Sequence, residues 1–179
     1  SSFNDDKIIW FESDGAADPS FTANTITSSA DGAGTVYAVD VDGDGDIDVI
    51  SGSQEDDKVA WYENNGASDP SFTTRSITTS ADGVTSVFAA DVDGDGQMDI
   101  LSASSNDNNI TWYENTSVAL DTPTFTAATI STSNDGAYSV YAIDVNNDGE
   151  INLRDFISDG SPFKNGFDDD NNGYIDDFI

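Results

Sequence analysis

Nine consecutive residues, Asp40-Val41-Asp42-Gly43-Asp44-Gly45-Asp46-Ile47-Asp48, set a carboxylate at every second position around two glycines. Side-chain oxygens of Asp40, Asp42, Asp44 and Asp48, at positions one, three, five and nine, can surround one centre, joined by the backbone carbonyl of Asp46 at position seven. Gly45, at position six, allows the sharp turn that folds these groups inward. An all-oxygen donor set of this size suits a hard divalent cation, and the number of carboxylates without a phosphate partner favours Ca²⁺ over Mg²⁺. Four carboxylates around an empty centre repel one another, so cation binding is expected to be coupled to folding. Ile47, at position eight, is expected to anchor the loop to the core.

The same grammar recurs. Asp91-Val92-Asp93-Gly94-Asp95-Gly96-Gln97-Met98-Asp99 repeats it, with ligands expected from Asp91, Asp93, Asp95 and Asp99 and from the carbonyl of Gln97. A third copy offers Asp144, Asn146, Asp148, Glu150 and Asn152, with two carboxylates replaced by amides and Asp155 placed to join them. A fourth candidate, outside the repeat, offers Asp168, Asp170, Asn172, Tyr174 and Asp176. EF-hand sensors share this loop grammar, but stretches with strand character flank the first two loops. No helix pair is there to open, so a structural calcium brace is the better reading.

The elements that must carry these loops follow from internal repetition. Trp10, Trp61 and Trp112 are spaced by 51 and 51 residues, and Asp40, Asp91 and Asp144 by 51 and 53. Asp18-Pro19-Ser20-Phe21-Thr22 returns as Asp69-Pro70-Ser71-Phe72-Thr73 and, degraded, as Thr122-Pro123-Thr124-Phe125-Thr126. A period near 50 is that of a propeller blade. Each repeat reads as four short strands, in the second copy over residues 86–90, 99–103, 110–114 and 125–130, joined by Gly-, Asn-, Asp- and Ser-rich turns. Val59 and Trp61 point one way and Ala60 and Tyr62 the other, all apolar or aromatic, as strands covered on both faces require. The recurring Trp is read as packing between blades, with a sugar-stacking platform as the sharper alternative.

The expected fold is therefore all-β: antiparallel four-stranded blades of a partial β-propeller over residues 1–143. It divides into a part-blade at 7–27, whole blades at 35–79 and 86–131, and the first strand of a following blade at 138–143. Residues 144–179 form an irregular acidic calcium-loop tail. Two blades and two part-blades do not close a ring of about four to eight blades. A piece of a larger propeller, or an assembly closing between chains, is expected.

Composition narrows the function. The 179 residues carry 35 Asp and Glu against 5 Lys and Arg, a formal net charge of -30. Nothing here neutralises nucleic-acid phosphates or favours an anionic membrane surface, and no run approaches a membrane span. With no His and no Cys, the commonest general base, thiolate nucleophiles and zinc-thiolate sites are all missing. Lys7, Lys58, Arg75, Arg154 and Lys164 do not recur at one position of the repeat in all three copies. No catalytic residue is expected. The chain opens on Ser1-Ser2-Phe3, without a leader signature, and reads as a mature form or an excised piece.

With the period, the Trp-Tyr-Glu-Asn stretches at 61–64 and 112–115, and the Asp-Val-Asp-Gly-Asp-Gly loops in hand, residues 7–152 resemble FG-GAP/VCBS-type repeats. These are the calcium-bearing blades of bacterial secreted proteins and of integrin α-chain propellers. The resemblance implies the same ligand positions in the first two loops and a secreted or cell-surface, bacterial protein serving adhesion, glycan contact or architecture. Some members adjoin polysaccharide-degrading domains, so an accessory part of such an enzyme is an alternative. An acidic calcium buffer or mineral-binding protein is another. Expected partners are glycans or further copies of the chain through exposed blade edges. The tail departs from the pattern: Ile151-Asn152-Leu153-Arg154-Asp155-Phe156 resembles the loop-into-helix start of a dockerin or EF-hand. Its spacing of 24 residues to the fourth loop is shorter than a dockerin pair uses.

Overall fold

A computed structural model describes residues 1–117 and 122–143. The strands are β1 (Ile8–Ser13), β2 (Phe21–Thr27), β3 (Ala33–Val39), β4 (Asp48–Ser53), β5 (Lys58–Asn64), β6 (Phe72–Thr78), β7 (Val84–Ala90), β8 (Asp99–Ser104), β9 (Asn109–Asn115) and β10 (Phe125–Ser131). A 3-10 turn at Phe3–Asp5 precedes them. Among the described residues there is no α-helix.

Every pairing is antiparallel and joins strands adjacent in sequence, giving a β1–β2 ribbon and two four-stranded meanders, β3–β6 and β7–β10. These are propeller-type blades. Consecutive strands pair within each sheet, and the short segments 28–32 and 79–83 carry the chain from one sheet to the next.

What holds blade to blade is burial on both faces. Along β5, Val59, Ala60, Trp61 and Tyr62 are all buried. Val59 and Trp61 pack toward the second blade with Val84, Val87, Ala89 and Ile100. Ala60 and Tyr62 pack the other way, with Ile8, Ala30 and Ala33. Every residue of β8 is buried. A lone sheet could not bury both faces, so each blade depends on its neighbours. Trp61, at 1% exposure, is a packing residue and offers no platform to a sugar.

A second device repeats at each junction. Asp6, Asp57 and Asn108 adopt positive φ (57°, 54° and 61°), and their side-chain oxygens accept the backbone N–H groups of Gly32, Gly83 and Gly136 at 3.2, 3.0 and 2.7 Å. Asp and Asn tolerate this left-handed conformation best after Gly. Each staple ties the hairpin between the second and third strands of one repeat to the start of the next. Tyr37, Phe88 and Tyr141 stack along the first strands, with centroids 4.9 and 4.4 Å apart.

Residues 138–143, expected as a first strand, carry no strand assignment. A strand is defined by its ladder, and the residues expected to pair with it lie beyond 143, outside the described residues. The segment still takes the place of a first strand: Ala137, Val140 and Ala142 are buried against Val92, Leu101 and Ile110. The third and fourth acidic loops, with Asp144, Asn146, Asp148, Glu150, Asn152, Asp155, Asp168, Asp170, Asn172, Tyr174 and Asp176, also lie outside the described residues.

Gly52 sits where the blades come closest. A Cβ there would meet Thr35 Cγ2 at 2.7 Å and Val84 Cγ2 at 2.9 Å. Gly52→Val should therefore destabilise the fold by about 1–3 kcal/mol through overpacking, read from urea unfolding midpoints. An unchanged midpoint would mean that the blades do not meet there.

Candidate metal centre

The two acidic loops join the first and second strands of their blades, β3 to β4 and β7 to β8, and so stand at the same end of adjacent sheets. Their internal bonding is nearly superimposable. Asp40 accepts the N–H groups of Gly43 (2.8 Å) and Gly45 (3.0 Å), while Asp42 accepts that of Asp44 and Asp44 that of Asp46. In the second loop Asp91 accepts from Gly94 (2.8 Å) and Gly96 (2.9 Å), Asp93 from Asp95, and Asp95 from Gln97. Successive N–H groups thus wrap the chain around its own carboxylates, which is how so acidic a segment takes a defined shape. Gly43, Gly45, Gly94 and Gly96 all have positive φ, between 75° and 98°.

Carboxylate oxygens of Asp40, Asp42 and Asp48 lie within 4.8 Å of one another, as do those of Asp91, Asp93 and Asp99. These two groups can hold a metal ion, and an all-carboxylate donor set fits a hard cation. Asp44 and Asp95, expected at position five, stand outside these triads, with one oxygen engaged by the N–H two residues on. The side chain of Gln97 is also engaged, donating to Asp95 and accepting from Ser117 Oγ at 2.9 Å, so its backbone carbonyl is the oxygen left to offer.

Position eight corrects the expectation for Ile47, which is 56% exposed and does not anchor the loop. The anchor is position two: Val41 and Val92 are 2% and 0% exposed and belong to the cores between blades. The reason is geometric. The residue after the first loop aspartate still follows the strand's alternation, whereas position eight lies past the turn.

Asp48 and Asp99, at position nine, are wholly buried (0% and 1% exposed). Asp48 accepts the N–H of Val41 at 3.1 Å and that of Asn64 at 2.7 Å; Asp99 accepts from Val92 at 3.0 Å and Asn115 at 2.8 Å. The buried indole N–H groups of Trp61 and Trp112 favour the two anions, but neither makes an aligned hydrogen bond. Sequence reasoning missed these partners. The available signal was the Asn that closes each Trp-Tyr-Glu-Asn stretch, recurring in step with the loops.

Burial dominates the electrostatics. It raises the Asp99 carboxyl from the ordinary 3.8 to about 6, against the pull of its hydrogen bonds and with a further push from Asp93. Burial likewise raises Asp42 to about 6, helped by the charges of Asp48, Asp44 and Asp40. It pushes Asp48 upward too, in part offset by the Asn64, Trp61 and Val41 donors.

A cleft of about 590 Å³ opens between the loops, with Val39, Asp42 and Ile47 on one side and Gln97, Met98 and Ser117 on the other.

Residues 40–102 and 93–153 match the FG-GAP-like repeat family, together more than half of the chain. No curated protein and no solved structure matches it.

The raised carboxylates fix a pH dependence. Between pH 3.8 and about 6 the metal-free folded chain binds more protons at Asp42 and Asp99 than the unfolded chain does. Its stability therefore falls as pH rises through that window. In chelator the thermal midpoint should be higher at pH 5 than at pH 7.5. The stabilisation added by calcium should run the other way and grow with pH, because protons compete for the same oxygens. A chelated protein that melts higher at pH 7.5 would contradict the buried-carboxylate account.

Proposed function

Because the chain belongs to the FG-GAP-like repeat family, we propose that it is a calcium-braced β-propeller module of a secreted or cell-surface bacterial protein, non-catalytic and serving adhesion, glycan contact or assembly. The observation that carries this reading is the duplicated carboxylate triad, Asp40/Asp42/Asp48 and Asp91/Asp93/Asp99, at equivalent places in adjacent blades. Ca²⁺ would be held by these side chains with the carbonyls of Asp46 and Gln97, and would supply the positive charge that lets the carboxylates converge. Ca²⁺ in oxidised extracellular fluids reaches concentrations that suit such sites. None of the described helical turns is long and apolar enough to cross a membrane.

A non-catalytic role is supported by chemistry. With no His or Cys, general acid–base work would fall to carboxylates, and the clustered ones are those expected to hold metal. Glycan contact is supported by the cleft between the loops, whose lining mixes apolar side chains with the carboxylates of Asp40 and Asp42 and with amide and hydroxyl groups, a mixture that suits a polyhydroxylated ligand. The accessory-enzyme and calcium-buffer alternatives make different demands: turnover in a neighbouring domain, or weak binding far beyond the loop count.

Assembly is supported by a comparison within the chain. Val36 is 42% exposed and Ala38 is exposed, while their equivalents in the second blade, Val87 and Ala89, are each 5% exposed against the first blade. This exposed face of β3 corresponds to one that is buried between blades in the second repeat, which supports packing against a sheet of another copy or of a further blade.

Isothermal titration should give at least two calcium equivalents, and Asp42→Asn with Asp93→Asn should weaken both sites about tenfold or more. No heat and no gain in melting temperature at millimolar calcium would sink the brace. Light scattering after size exclusion tests assembly. A discrete oligomer in calcium that Val36→Asp dissociates is expected, and a monomer at all concentrations would rule out self-association through β3.

A further inference from the structure

We propose that Asn64 and Asn115 are positioning residues for the two cation loops, clamping the exit of each loop to the third strand of its blade so that the donor set is held together before metal arrives. This rests on the calcium reading above and deepens it by assigning a role to residues that donate no oxygen to the metal.

The geometry appears twice. The backbone N–H of Asn64 donates to Asp48 Oδ1 at 2.7 Å, and that of Asn115 to Asp99 Oδ1 at 2.8 Å. The side-chain amide then reaches back along the loop: Asn64 Nδ2 donates to the Ile47 carbonyl at 3.0 Å, and Asn115 Nδ2 to the Met98 carbonyl at 3.3 Å. The remaining oxygen is also used. Asn64 Oδ1 accepts the Gly66 N–H at 3.1 Å. Asn115 Oδ1 accepts the Ser117 N–H at 3.2 Å and its hydroxyl at 2.6 Å. One residue therefore fixes the position-nine carboxylate and the position-eight carbonyl, and with them the peptide next to the position-seven carbonyl expected to bind the cation.

Only asparagine meets all three demands at this length. Asp offers no side-chain donor, Ser offers one hydroxyl, and Gln carries its amide a carbon too far. Asn115 is 2% exposed, so its polar atoms have no recourse to water and must be satisfied in place. The part-blade has Ser13 at this position, whose Oγ accepts the Gly15 N–H at 3.2 Å and so keeps the acceptor half of the pattern. A loop with two glycines and several like charges has many conformations to lose on binding metal. A clamp that removes them beforehand raises affinity without adding a ligand, and outer-shell partners of this kind are typically worth about 10–100-fold in metal affinity.

The test uses the full chain, calcium titration by calorimetry, and thermal melts in chelator. Asn115→Asp and Asn64→Asp keep the size and the acceptor but lose the amide donor, and they add a negative charge. Charge alone would tighten cation binding. The proposal expects the reverse, a loss of about 10–100-fold at the one altered site, with the other site unchanged and the chelated melt still cooperative. Asn24→Ala, at a half-buried position of β2 outside both loops, serves as the control. Calcium bound as tightly as by the unaltered chain, or more tightly, overturns the clamp. Equal weakening of both sites together with a broadened chelated melt also overturns it, since that marks general loss of structure. Should Asn115→Asp fail to fold, the half-buried Asn64→Asp decides. An unaltered chain that binds no calcium refutes the clamp and the calcium reading together, whereas normal binding with insensitive variants refutes the clamp alone.

Discussion

A buried carboxylate at the foot of each acidic loop is the constraint on which the rest of the molecule depends. Asp48 and Asp99 open the second strand of their blades with almost no exposure to water. A buried charge is tolerated only where donors meet it. Each oxygen therefore receives a backbone N–H, one from the start of the loop and one from the end of the third strand. Those bonds fix three pieces of chain at one point: loop entry, loop exit and the neighbouring strand. The apolar blade can then pack up to the edge of a very acidic surface. Without this junction the loop would be a solvated turn with no fixed relation to the sheet.

The remaining carboxylates are arranged around that point at an energetic disadvantage. Asp42 lies close enough to Asp40, Asp44 and Asp48 for their charges to raise its proton affinity. The loop backbone answers with N–H groups turned inward, but these are partial charges and do not neutralise the cluster. A divalent cation would remove the repulsion and use the convergence together. The coupling runs through packing as well. Val41 and Val92, next to the first ligand of each loop, are embedded between blades, so a change at the loop reaches the interface that holds consecutive repeats.

Much of the architecture was legible in the sequence because two periodicities coincide, the 51-residue spacing of Trp and Asp landmarks and the strand alternation within each repeat. Strand order then followed from the repeat unit, four consecutive strands to a blade. The loops were legible because ligand chemistry demands particular residue types at particular positions. What escaped was context-dependent. Ile47 looked like an anchor because isoleucine usually is one, yet the anchor is Val41, which a periodic reading of β3 continued past its end would have reached. The staples at Asp6, Asp57 and Asn108 hid among many acidic residues, since nothing in a lone Asp announces a positive φ. Asn64 and Asn115 were visible as part of a repeated motif, but their use of backbone and side chain together emerges only in three dimensions.

The repeats also account for how a chain of net charge -30 holds a fold at all. Its apolar residues lie along sheet faces, while the clustered acidic residues are confined to loop ends, so that like charges meet at a few points instead of across the interface. Repulsion at those points acts on local loop geometry, where a bound cation can answer it, and leaves the packing between β5, β7 and β8 apolar. The sheets carry stability from neighbour to neighbour, in the manner of a one-dimensional array, and the loops sit at the joints of that array. A cation bound at a loop would stabilise the blade that owns it and, through the buried valine, the blade beside it. On the calcium reading proposed above, such binding would stiffen the module from a small number of sites.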